Sequence, residues 1–180
     1  MNTIVTVLSI IISVGIILII AVAIYNHFQD YIIRINEANV SIEMVLRKRF
    51  DLLNKASSII KNNVKDEQNI IDMIAKLRSK KLTNFELDRN LYDAINEFHI
   101  VKEKHEELQT NEKFLKIEIN LMESESEIVG LRKYYNDIVT DYNKLVKSFP
   151  SNIVAFIKRY KVKEYFDGNS LDNKIRTVRL

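Results

Sequence analysis

Apolar side chains follow two different patterns along this chain. From Thr3 to Ile24 they are nearly continuous, and the stretch TIVTVLSIIISVGIILIIAVAI carries no charged residue. As a helix it would be about 33 Å long at about 1.5 Å per residue, enough for a hydrocarbon core of about 30 Å. The pattern predicts a transmembrane helix inside an anchor segment of residues 1–29. Ala21-Val22-Ala23 fits a cleavage pattern. However, no Lys or Arg precedes the apolar run, and the run exceeds an ordinary signal core, so a retained anchor is expected. Gly15 with Ser9 and Ser13 could mark a helix–helix contact, although chance accounts for them as well.

From Asp30 onward the apolar positions recur every three or four residues, the period of a half-buried helix. No Gly or Pro falls between Asp30 and Asn62. The stripe Ile35, Ala38, Ile42, Val45/Leu46, Phe50, Leu53, Ala56, Ile60 therefore predicts a first body helix that continues the anchor without a stop. On its other face lie Arg47, Lys48 and Asp51, with Arg47–Asp51 spaced as an i,i+4 pair. The triplet Arg47-Lys48-Arg49 reads as solvated. A turn is expected near Asn62-Asn63. A second helix carries Ile70, Ile71, Ile74 and Leu77 to about Leu82, with Asp66 and Glu67 in its first turn and Arg78, Lys80 and Lys81 in its last.

Thr83-Asn84-Phe85-Glu86 is a capping box and predicts a fresh start at Thr83. The third helix then presents Phe85, Leu87, Leu91, Ala94/Ile95, Phe98 and Val101 and ends near Gln109. Asn111 is a good N-cap for a fourth helix, Glu112 to about Ser148. Its stripe is Leu115, Ile117/Ile119, Leu121/Met122, Ile128, Leu131, Tyr135, Ile138, Tyr142, Leu145 and Val146. Gly130 interrupts it and is expected to admit a neighbouring helix closely. Pro150 ends it. An amphipathic piece follows, with Ile153, Val154, Phe156, Ile157 and Tyr160 against Lys158, Arg159, Lys161 and Lys163. Asp167-Gly168-Asn169-Ser170 reads as a turn, and the last ten residues as frayed.

The expected fold is thus all-α: an N-terminal transmembrane helix, then an antiparallel up-and-down four-helix bundle with long helices. The bundle would occupy residues 30–150, and residues 151–180 would form a basic amphipathic segment and tail. Helix lengths of about 50, 25, 39 and 58 Å, run alternately up and down, nearly cancel. Pro150 would then return to the bilayer surface, bringing the basic segment near lipid headgroups; docking on the end of the bundle is the plainer alternative.

Composition agrees with helices and removes several chemistries. The chain has 180 residues, 3 Gly, 1 Pro and no Cys, which excludes disulfides and thiol chemistry. Its net charge of +3 comes from interspersed basic and acidic residues, a pattern that does not suggest nucleic acid. His99 and His105 are six apart and share no face. Glu123, Glu125 and Glu127 form an acidic cluster without a partner His, which reads as solvated. No phosphate loop, HExxH or GxSxG occurs. No cofactor, metal or small-molecule substrate is expected, and no enzymatic activity. Tyr135-Asn136 and Tyr142-Asn143 repeat at seven residues, so both Asn fall on one stripe. They could fix helix register or offer a polar patch to a partner helix. With Pro150, Asn152, Lys158 and Arg159 they are the candidate interaction or seam positions.

Two stretches resemble the LemA family of bacterial membrane proteins. One is Tyr25-Asn26 followed by Val40 to Leu52, with a basic triplet before Phe50-Asp51-Leu52. The other opens with Asn111-Glu112-Lys113-Phe114. It continues through Tyr134-Tyr135-Asn136 and Asp141-Tyr142-Asn143, and closes on Ser148-Phe149-Pro150-Ser151-Asn152 and Glu164-Tyr165-Phe166. The chain departs from the family at Leu53-Asn54-Lys55, where hydrophobic-Pro-Asn is usual, and at His105-Glu106, where Tyr-Pro is frequent. The resemblance implies an anchor and an antiparallel helical bundle; it brings no catalytic residues. The function expected is that of a membrane-anchored protein-interaction or scaffold module with unidentified protein partners. An envelope sensor that switches between two helix packings is the alternative. Basic residues after the anchor place the main domain in the cytoplasm by the positive-inside rule.

Overall fold

The structure, a computed structural model, describes residues 2–64, 67–79 and 82–166. Six helices are seen among them, not four: α1 (Asn2–Asn63), α2 (Gln68–Ser79), α3 (Asn84–Lys104), α4 (Glu106–Gln109), α5 (Glu112–Lys147) and α6 (Ser151–Lys158). The all-α reading holds, whereas a plain four-helix up-and-down bundle is too simple a description. Asp66, Lys80, Lys81, the turn expected at Asp167–Ser170 and the last ten residues lie outside the described residues.

The missing Gly and Pro have the expected effect at α1, which runs from the apolar span into the body as one helix of 62 residues. The apolar span is exposed along its length, and α1 is long and apolar enough to cross a membrane. Ser9 and Ser13 donate to carbonyls of their own helix, at 2.9 Å to Val5 and 2.8 Å to Ser9. A Cβ built on Gly15 or on Gly130 meets nothing within 4 Å. Gly130 therefore does not mark a close helix approach, contrary to the expectation.

The helix starts follow their caps. Thr83 Oγ1 accepts from the Glu86 N–H while the Glu86 carboxylate accepts from the Thr83 N–H at 2.9 Å, completing the capping box. Asn111 Oδ1 accepts from the Phe114 N–H at 3.1 Å and opens α5. The third helix does not reach Gln109. It stops at Lys104, and His105 is extended (φ −126°, ψ 108°) before the one-turn α4. His105 Nε2 lies 3.0 Å from Glu67 Oε1, so a tertiary hydrogen bond accompanies the break. Glu67 precedes α2 and is tied to His105 instead of sitting in the helix's first turn.

The chain divides into two compact units, Met1–Glu37 with Tyr135–Leu180, and Ala38–Tyr134. In the second unit the core comes from Ile42, Leu46, Leu53 and Ile60 of α1, Ile70 and Ile74 of α2, Leu91 and Phe98 of α3, Leu108 of α4, and Phe114 and Leu121 of α5. Phe98 stacks on Phe114 at 4.5 Å between centroids. At the two ambiguous places in the α5 stripe, Ile117 and Leu121 are buried while Ile119 and Met122 face out. In the first unit the core is Phe28 and Ile35 of α1, Ile138, Val139 and Tyr142 of α5, Ala155 of α6, and Tyr165 and Phe166 beyond it.

Candidate functional site

All eight candidate positions lie in the first unit, and two of them, Tyr142 and Lys158, contact α1 just past its apolar span. Tyr142 is buried and meets Phe28 edge-on at 5.8 Å; Phe28 in turn contacts Tyr160 at 4.8 Å. Gln29 Nε2 donates to the Tyr160 hydroxyl at 2.7 Å. Lys158 Nζ sits 5.0 Å from the Tyr25 ring centroid, a cation–π contact. Ala23, Ile24 and His27 of α1 share a shallow groove with Leu145 of α5. The last turn of α5 is thereby level with the last residues of the span.

The two asparagines are engaged by the chain's own backbone. Asn143, fully buried, makes a two-way bond with Lys163: Nδ2 donates to its carbonyl and Oδ1 accepts from its N–H, both at 2.8 Å. Asn136 Oδ1 accepts from the Phe166 N–H at 2.8 Å. Seven-residue spacing puts both amides on one side of α5, where they hold the irregular segment after α6. Tyr135 meets Phe166 edge-on at 6.2 Å. Burial raises the phenol pKa of Tyr135, with Glu164 adding to it, and burial raises that of Tyr142, with Tyr160 adding.

Pro150 caps the start of α6. Ser151 is buried there, and its hydroxyl donates to the carbonyls of Leu145 (2.6 Å) and Ser148 (2.8 Å), pinning α6 to the end of α5. Asn152 is exposed, its N–H on the Ser148 carbonyl at 2.8 Å. Arg159 ends α6 in the left-handed region (φ 56°), a place more often taken by Gly. That turn sends Tyr160 back toward Phe28. Pro150, Asn152, Lys158 and Arg159 are all exposed.

A second site, in the other unit, was not anticipated. Arg49 is buried to 1% exposure, although the triplet read as solvated. Position 49 lies three residues after Leu46 and four before Leu53, both fully buried, so helical geometry carries it inward. Its Nη2 pairs with Glu125, and its Nη1 is 3.8 Å from Asp88 Oδ1, which also pairs with Arg132. Arg49 Nε and Nη1 make no hydrogen bond. The acidic cluster on α5 is likewise not simply solvated, because Glu125 serves Arg49 and Glu127 lies 3.6 Å from Lys48. Arg47 pairs with Glu43, one turn back, and not with Asp51. A cavity of about 190 Å³ opens beside Arg49 and Glu125, lined also by Tyr92, His99 and Met122. Tyr92 and Met122 are exposed at its rim.

His99 and His105 each face one carboxylate, Glu118 and Glu67. Among the described residues no group of three His, Cys, Asp or Glu could hold a metal ion. The first unit thus holds amide and aromatic contacts made within the chain, and the second unit a charged cavity with an apolar rim. A family model described as the LemA family matches residues 38–179. No curated protein matches the chain.

Proposed function

The chain belongs to the LemA family as a membrane-associated, all-helical protein attached through its N-terminal helix, and from that premise we propose that it is a protein-interaction or scaffold module. The observation that carries this reading is α1, in which an apolar span continues unbroken into helix buried within folded units. In the first unit that continuation is braced by residues 135–166, so this unit is held at the bilayer. The exposed rim of Tyr92 and Met122 supplies a surface for a protein partner. The body is cytoplasmic by its basic residues, and the basic side chains after Pro150 meet anionic lipid headgroups.

Tagged full-length protein, extracted from its native membranes, is expected to bring down a stoichiometric partner that Met122→Glu and Tyr92→Glu release. Recovery of the same partners by the wild type and both variants would refute this surface. Cys substituted at the exposed Lys113 reports orientation, since the chain has no other Cys. Labelling by an impermeant reagent only after permeabilisation supports the cytoplasmic side; labelling in intact cells reverses it. A second reading, a sensor that shifts between two packings, draws support from the cluster of buried Arg49 and Asp88 with part-buried Arg132, because charges shared among three helices can bias such an equilibrium. It predicts ligand-dependent hydrogen exchange in α3.

A further inference from the structure

We propose that α6 is a second membrane contact, an interfacial helix lying in the headgroup layer beside the span. Its apolar side would enter the acyl boundary and its basic side would sit on anionic lipid. The proposal rests on the reading that the N-terminal helix crosses the bilayer, and it goes beyond the headgroup contact of the basic side chains by seating the apolar side of α6 in the bilayer.

The first argument is the way α6 divides its faces. Ser151 and Ala155, four apart, are buried against the protein. Ile153, Phe156 and Ile157 point elsewhere at 51%, 86% and 69% exposure, and Phe149 just ahead of them is 80% exposed. Such a cluster of large apolar side chains is costly in water, and clusters of this kind mark interaction surfaces. The second argument is level. Lys158 covers Tyr25, Tyr160 bonds Gln29, and Leu145 shares a groove with Ala23 and Ile24. If the uncharged stretch ending at Ile24 fills a hydrocarbon core of about 30 Å, the next few residues occupy the interfacial layer of roughly 5–8 Å on that side. Lys158 at the end of α6 contacts that same stretch of α1 at Tyr25, and Tyr160 just beyond α6 does so at Gln29. The exposed apolar residues of α6 are thus continuous with a surface already committed to lipid.

Charge is the third argument. Between Lys144 and Glu164 the chain carries Lys144, Lys147, Lys158, Arg159, Lys161 and Lys163 against the single acid Glu164. Basic side chains beside an apolar face, at headgroup depth, are the chemistry of an interfacial helix on anionic lipid. A second copy of the chain could also cover Phe156, but nothing in that alternative accounts for the level or the charge.

The test uses full-length protein reconstituted in bilayers of phosphatidylcholine mixed with phosphatidylglycerol. A spin label is placed singly through Phe156→Cys, Ile157→Cys, Ile12→Cys in the span, or Glu107→Cys on the exposed surface of the second unit. Accessibility to oxygen, which partitions into lipid, is compared with accessibility to a water-soluble nickel chelate. The expected result places 156 and 157 with 12 in lipid, and 107 in water. Lipid contact at 12 with aqueous values at 156 and 157 overturns the proposal while leaving the anchor intact. Shielding of 156 from both reagents, with label–label broadening that dilution by unlabelled protein removes, overturns it in favour of a second copy. Aqueous values at 12 overturn the anchor reading and the proposal together. In pure phosphatidylcholine the seating of 156 should weaken, by about fivefold per basic residue in headgroup contact. An unchanged ratio there overturns the anionic half.

Discussion

Asn143→Ala tests how the C-terminal segment is held in the first unit. The wild-type amide satisfies both the N–H and the C=O of Lys163 at 2.8 Å, from a side chain with no exposed surface. Alanine removes both partners at once. A backbone group left unsatisfied costs about 1–3 kcal/mol when buried. Lys163 is only half-buried, so water repairs part of the loss and the lower end applies to each group. The tether should weaken by about 2 kcal/mol, which at about 1.4 kcal/mol per tenfold is roughly 30-fold in local opening. Amide hydrogen exchange on the full chain in bilayer discs reads this directly at Lys163. Asn136→Ala frees only the Phe166 N–H and should give a smaller effect, about fivefold. Amides of α2 and α3, in the other unit, should not change. Equal protection of Lys163 in wild type and Asn143→Ala would refute the reasoning, as would a larger effect from Asn136→Ala.

Three further outcomes are expected. Asp88→Ala removes the carboxylate between buried Arg49, which keeps Glu125, and part-buried Arg132, and should cost about 1–3 kcal/mol, seen as a lower midpoint in thermal or urea unfolding; a midpoint within a degree of wild type would contradict it. Thr83→Ala removes the capping box and should fray the start of α3. Because hydrogen bonds from Thr83 hold the Glu86 carboxyl below its usual range, the cap's contribution is present above the ordinary glutamate pKa. The carboxylate's share is lost as pH falls through the lowered value, so the gap between wild type and Thr83→Ala should narrow in acid while the part carried by the Glu86 N–H to Thr83 Oγ1 bond remains. Tyr142 should resist ionisation in ultraviolet titration until above the ordinary tyrosine range. Its contribution is present below the unfolded pKa and is lost as pH rises toward the raised one; ionisation at the ordinary value would contradict its burial.

Much of this fold can be read along the chain, because periodicity and caps are local. The unbroken stripe from Ile35 to Ile60 predicts the continuation of the span, and Thr83 and Asn111 mark two helix starts that the structure has. The break at His105 is different. No Gly or Pro signals it; what accompanies it is Glu67, 38 residues away. Glu106 there takes the first position of α4. Arg49 was legible in principle, since its place between Leu46 and Leu53 faces inward, but its charge suggested the opposite. Gly130 gave a false signal, because a missing side chain on an exposed helix face need not admit anything. At the candidate site the Tyr-Asn repeat was visible as a stripe. Its partners were not, because a hydrogen bond to the backbone of Lys163 or Phe166 leaves no mark on which residue stands there.

The division into two units also has a consequence for the order of synthesis. Ala38–Tyr134 is one continuous run, and its core residues are all synthesised before Tyr135. That unit can fold while the remainder is still being translated. The other unit is split between the two ends of the chain. Phe28 and Ile35 emerge early, yet Tyr142, Tyr160 and Tyr165, which complete their surroundings, come last. Until then the residues just past the span have nothing from the C-terminal part to pack against. Closure of this unit therefore waits for the stretch from Tyr135 to Phe166: a product truncated before Tyr135 could carry the whole span and the whole second unit, and still leave Phe28 uncovered at the membrane.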